Sequence, residues 1–146
     1  MSEPGLQLDL SDASEAGVYL IADTDLNAIS AAARSAALRL CRIDLFGCDS
    51  KATLLLRLST SLDFPAGRGR NWDAIADGLR DLGWMPAPGY ALVFEDIDTL
   101  RNAQPEDFGT LVDILQEAAQ FWAEDETPFW VFMSTANNAG ADEGQD

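Results

Sequence analysis

Phe64-Pro65-Ala66-Gly67-Arg68-Gly69-Arg70-Asn71-Trp72-Asp73-Ala74-Ile75-Ala76-Asp77-Gly78-Leu79-Arg80-Asp81-Leu82 is the stretch that decides the reading of this chain. Its proline and first two glycines predict a loop. Asn71 then reads as a helix N-cap, because its side-chain oxygen can accept a free amide of the first turn. Trp72, Ile75, Ala76, Leu79 and Leu82 recur at spacings of three and four, which predicts one apolar helix face. Asp73, Asp77 and Asp81 follow at i, i+4 and i+8, a ladder of carboxylates on another face. Like charges four apart cost a helix roughly 0.2–0.5 kcal/mol per pair, so a surface that accepts this cost points to a basic partner. The same three acids also read as a solvated face. Asp73 lies in the first turn, where the helix dipole favours a carboxylate, and Arg80 stands three residues after Asp77.

Outward from this stretch, strands and helices alternate. Val18-Tyr19-Leu20-Ile21 reads as a short buried strand and Leu26 to Leu38 as an alanine-rich helix. Cys41, Ile43 and Leu45 alternate with Arg42 and Asp44, the pattern of a half-buried strand. Asp49 to Leu62 is helical, with Ser50 or Asp49 as cap. Tyr90 to Phe94 and Phe129 to Met133 are unbroken apolar runs, as in strands covered on both faces. Asp98 to Gln104 reads as a loop or frayed turn, and a long helix runs from Pro105 to about Glu124. Met1 to Ala16 and the acidic residues 135–146 are expected to be loose. The alternation predicts an α/β fold: a small three- to four-stranded parallel sheet packed with helices, in a single domain.

The chain has 146 residues, 25 acids, 9 bases and no histidine, for a net charge of −16. The charge is not confined to the ends, since Cys41 to Ser134 carries sixteen acids and seven bases. Such a chain disfavours nucleic acid and anionic membranes as partners and favours a basic protein. Met1 to Leu10 has no basic start and no apolar run, and no apolar stretch approaches the ~20 residues of a membrane span. The expectation is a cytoplasmic protein in which Cys41 and Cys48 stay free thiols. Without histidine the commonest general base and metal ligand is missing, and neither cysteine has one to activate it. Asp96 and Asp98 lack the glycine and glutamate of a calcium loop. The sequence therefore reads as a binding protein rather than an enzyme, with no cofactor and no metal.

Phe64-Pro65, the glycine, and Asn71-Trp72-Asp73-Ala74-Ile75 followed by Asp77 and Leu79 resemble the signature loop and helix of the barstar family, small intracellular inhibitors of barnase-type ribonucleases. The resemblance continues through Tyr90 to Glu95, Ile114 to Ala119 and Phe129 to Ser134, and covers a core of about 42–134. It implies the barstar-like fold. The strand and helix within residues 17–40 lie outside it and are expected to add a fourth strand at a sheet edge. The resemblance also implies partner contacts at Asn71, Trp72, Asp73 and Asp77, and at Glu117 on the last helix; the ladder adds Asp81. Glu117 stands between Ile114 and Phe121 on the side away from the helix core stripe, and Trp72 also belongs to the apolar face of its own helix. The implied function is that of an acidic immunity protein, which neutralises a basic ribonuclease or related toxin by presenting helix carboxylates to its active site.

The chain departs from the family in the loop. Gly67, Arg68 and Ala76 stand where the family usually has aromatics, and Arg70 adds a second positive charge. Either the partner differs from a barnase-type enzyme or inhibition has been lost. Arg68 and Arg70 before a helix N-terminus also suit an anion, unless they fold back onto Asp63, Asp73 or Asp77. The alternatives are therefore an anion- or nucleotide-binding module using Arg68 and Arg70, or a structural interaction protein without a toxin partner.

Overall fold

The two unbroken apolar runs form the two central strands of a parallel sheet. The computed structural model describes residues 9–66, 68 and 70–135. Their elements are β1 (Val18–Ile21), α1 (Leu26–Ser35), β2 (Arg39–Asp44), α2 (Lys51–Ser61), α3 (Trp72–Leu79), β3 (Tyr90–Glu95), α4 (Asp98–Ala103), α5 (Pro105–Glu124) and β4 (Phe129–Ser134), with short 3-10 turns at Ala13–Glu15 and Asp23–Asp25. The strand order is β1-β4-β3-β2 and every pair is parallel. Every residue of β4 is buried, as are the first five of β3, whereas β2 at the edge alternates exposed and buried. This is a four-stranded α/β fold.

The alternation of side chains sorts the core into two layers. Cys41, Ile43, Leu92, Phe94, Val131 and Met133 face α2, α3 and α5, in the cluster that also holds Leu58, Ile75, Leu79 and Leu115. Ala91, Val93, Trp130 and Phe132 face the other way, in the cluster with Ile29 and Ala33 of α1. β1, N-terminal to the family-like region, pairs with β4 from Val18↔Val131 to Ile21↔Ser134 and covers that edge.

Several elements differ from the reading of the sequence. Residues 9–16 are not loose: Leu10 is 3% exposed and its carbonyl accepts the Trp130 indole N–H at 2.8 Å. Residues 1–8 and 136–146 lie outside the described chain, so the looseness expected there falls outside it too. Helix α1 stops at Ser35 because Ala37 takes a φ of 62°. Asp98–Ala103 is a six-residue helix rather than a loop. It ends where Gln104, at φ −135° and ψ 67°, precedes Pro105, whose ring excludes the helical conformation from the residue before it. Cys41 and Cys48 are both free and buried, and burial pushes both thiols up.

Candidate functional site

Helix α3 starts as its sequence dictates. Asn71 is extended and its side chain accepts the Ala74 amide at 2.8 Å. Ile75, Gly78 and Leu79 are buried, and Trp72 packs half-buried against the same core. Asp73 and Asp77 are thereby turned outward and both are exposed. Asp77 accepts a hydrogen bond from the Arg80 guanidinium at 2.9 Å, yet its side chain stays 71% exposed. An exposed pair of this kind holds little energy, typically about 0.3–0.5 kcal/mol, so the carboxylate remains available.

The ladder is shorter than its spacing predicts. Helix α3 ends at Leu79, and Leu82 takes a φ of 49°. Asp81 therefore sits in the turn beyond the helix, where its carboxylate accepts the Gly83 amide at 3.3 Å. Leu82 is nevertheless buried, so the apolar periodicity survives the end of the helix.

Glu117 lies on α5. Its neighbours toward the core, Leu115, Ala118 and Ala119, are buried, while Glu117 itself is exposed. The apolar residues flanking it divide: Ile114 packs partly against the core, whereas Phe121 is 44% exposed and meets Trp122 edge-on at 5.6 Å. The Trp122 indole N–H donates to the Leu79 carbonyl at 2.7 Å, which ties α5 to the last turn of α3. The two acid-bearing helices are thus joined directly.

The loop before α3 is held by aromatic packing. The Phe64 ring crosses α3 at Gly78: a Cβ at that position would stand 2.4 Å and 2.6 Å from two of its carbons. Phe64 meets Trp84 edge-on at 5.0 Å, and the Trp84 indole N–H donates to the Leu62 carbonyl at 2.9 Å. The Arg68 guanidinium carbon lies 5.3 Å from the Trp84 ring centroid. Arg68 does not fold back onto Asp63, Asp73 or Asp77; it rests on an aromatic face. Among the described residues, Arg70 forms no ion pair either, and it is Arg80 that answers Asp77. Gly67 and Gly69 lie outside the described residues. Trp84 and Gly78 escaped the reading of the sequence. Gly78 had a signal, since a glycine inside a helix costs about 1 kcal/mol against alanine and commonly marks a close approach. Trp84 had none, because its contacts come from packing.

Among the described residues, no group of three or more acids and cysteines is arranged to hold a metal ion. No described helix is long and apolar enough to cross a membrane. A family model for "Barstar (barnase inhibitor)" matches residues 38–134, about two thirds of the chain. The chain belongs to the barstar family. The match begins just before β2 and ends with β4, so β1 and α1 stand outside the barstar region. No curated protein matches the chain. A chain in the solved "Structure of Drosophila ORC bound to AT-rich DNA and Cdc6" is similar at 14% identity and a TM-score of 0.48, with 86% of this chain and 43% of that chain covered. This chain thus spans less than half of that one, and the likeness carries no functional argument. Barstar-family proteins are inhibitors rather than enzymes by the family's own description. Of the positions expected from the resemblance to meet a partner, Asp73 and Asp77 are exposed on α3, Trp72 is half-buried, Asn71 caps the helix and Glu117 is exposed.

Proposed function

We propose that this barstar-family protein is an intracellular inhibitor of a basic nuclease, and that Asp73 and Asp77 enter the enzyme's cleft in place of RNA phosphates. The observation that carries the reading is the outward pair on α3: two exposed carboxylates one turn apart on a helix whose opposite face is locked into the core. Carboxylates so placed can take charge-assisted, bidentate bonds from the arginines and lysines of a phosphate-binding cleft. Glu117 on the joined helix α5 supplies a third acid, and Asn71 and Trp72 fix the entry to the helix. Asp81, in the turn, contributes to the field more than to contact. The net charge of −16 accelerates encounter with a positive enzyme.

The loop argues for an enzyme other than the barnase type. Arg68, where the family usually has an aromatic, and Arg70 beside it stand without a described acid, so the matching enzyme carries an acidic or neutral rim opposite them. In this reading the chain is one cytoplasmic domain acting as an immunity protein. Titration calorimetry of a basic nuclease with the wild type, Asp77→Ala and the control Asp49→Ala tests it. The expected loss for Asp77→Ala is about 2–5 kcal/mol, as for truncation of a desolvated charge pair, with Asp49→Ala near zero. Equal effects at both positions would reduce the α3 acids to a solvated face.

A further inference from the structure

Four of the nine basic residues line two adjoining cavities on the outer side of α2. One, of about 530 Å³, lies between α2 and the loop, with Leu56, Thr60, Asp63, Phe64, Arg68 and Arg70 in its wall. The other, of about 580 Å³, lies between α2 and the end of edge strand β2, with Arg42, Asp44, Phe46, Leu56, Arg57 and Thr60. Leu56 and Thr60 line both, so the two form one groove along the helix. Phe46 and Leu56 are 68% and 64% exposed, the most exposed large apolar side chains among the described residues.

The charges of this groove are unusual for so acidic a chain. Arg57 donates to the carbonyls of Asp44 at 3.0 Å and Phe46 at 2.7 Å, bonds that fix its guanidinium without neutralising it. Arg68 rests on Trp84. The described ion pairs use Arg42, Arg80 and Arg101, and leave Arg57, Arg68 and Arg70 with no described carboxylate. In a chain with 25 acids and 9 bases, four arginines against two aspartates, Asp44 and Asp63, beside two exposed apolar side chains make this groove net positive on a molecule that is otherwise strongly negative.

We propose that this groove docks a segment of a partner protein in which carboxylates alternate with large apolar side chains. Guanidinium groups without internal acids supply bidentate sites for carboxylates, and Phe46 with Leu56 supplies the apolar floor. Other occupants fit less well. RNA or DNA needs many phosphate contacts and meets the field of a strongly negative chain. A second copy brings another sixteen negative charges. Residues 136–146 of this chain contain Asp142, Glu143 and Asp146 but no apolar side chain larger than alanine, so they would leave Phe46 and Leu56 uncovered.

Fluorescence anisotropy with a dye-labelled peptide of repeating Glu-Leu-Glu-Phe, titrated with the full chain, tests this. Binding is expected to weaken as salt rises. It should fall at least tenfold in Arg68→Glu with Arg70→Glu, and separately in Leu56→Asp, and stay unchanged in Asp77→Asn. All these side chains are surface groups, and thermal melts confirm that each variant folds. Deleting residues 136–146 should leave the affinity unchanged. Equal binding of the Lys-Leu-Lys-Phe peptide, no binding of the acidic one, or full affinity in both groove variants would overturn the proposal. So would a tenfold gain on deleting the tail, which would make the tail the occupant, or displacement of the peptide by adenosine monophosphate, which would make the groove a small-anion site.

Discussion

Replacing Gly78 by alanine pits two effects of known size against each other. Alanine in the interior of a helix is favoured over glycine by about 1 kcal/mol. The added methyl, however, would stand 2.4 Å and 2.6 Å from the Phe64 ring and 3.3 Å from Trp84. Ordinary carbon contacts lie near 3.5–4.0 Å, so the ring must withdraw by about 1 Å. It cannot do so freely, because it abuts Trp84 at 5.0 Å and Trp84 is bonded to the Leu62 carbonyl. Overpacking of this kind typically costs about 1–3 kcal/mol. The net expectation is a loss of about 1 kcal/mol, or about 3 °C in Tm for a chain of this size. In a Phe64→Leu background the obstruction is gone, and Gly78→Ala should then stabilise by about 1 kcal/mol. The coupling between the two sites is therefore about 2 kcal/mol, well above the scatter of independent sites. Urea denaturation of the four proteins measures it. If Gly78→Ala stabilises the wild type, or shifts both backgrounds equally, the packing of the loop on α3 is not as described.

Other perturbations bear on the cap, the sheet end and the loop. Asn71→Ala removes the acceptor for the Ala74 amide and should cost about 1 kcal/mol in denaturant unfolding, while Asn71→Asp should be nearly neutral. Asp96 has a φ of 60°, and its carboxyl is pushed up by burial and then by Asp44, Asp23, Glu95 and Asp98. A raised acid binds its proton more tightly when folded, so the associated stability is present at low pH and lost as pH rises through the folded value. Asp96→Asn, which tolerates positive φ, should raise Tm at pH 7, with the gain shrinking as the pH falls toward the ordinary value of 3.8. The wild type should inhibit a barnase-type ribonuclease weakly, and Gly67→Tyr with Arg68→Phe should improve it; stoichiometric inhibition by the wild type would refute this reading of the loop.

Much of the fold was legible because its signals are local. The Asn71 cap, the apolar runs of β3 and β4 and the Pro105 start of α5 each rest on a few adjacent residues, and all three hold. The end of α3 was not legible. The period of Leu79 and Leu82 continues across a turn that the backbone closes with a positive φ at Leu82. Helix α4 escaped because Ile97 offers it no side-chain cap and six residues carry little periodicity. At the site, the outward placement of Asp73 and Asp77 followed from the buried face opposite them. The seat of Arg68 on Trp84 did not, since sixteen residues separate the two and no spacing rule links them. Leu56 carried a signal that passed unused: in Leu54-Leu55-Leu56 three consecutive residues cannot share one helix face, and Leu56 is the one left outside.

Inhibition through the α3 acids can be measured directly. A panel of small basic ribonucleases, including barnase-type and unrelated enzymes, can be assayed on a standard RNA substrate with rising amounts of wild type, Asp73→Ala and Asp77→Ala. At least one enzyme outside the barnase type should be inhibited stoichiometrically by the wild type, less tightly as salt rises. Each α3 variant should weaken that inhibition by about 30-fold or more, the equivalent of about 2 kcal/mol. No inhibition across the panel, or inhibition that both variants retain in full, would contradict it.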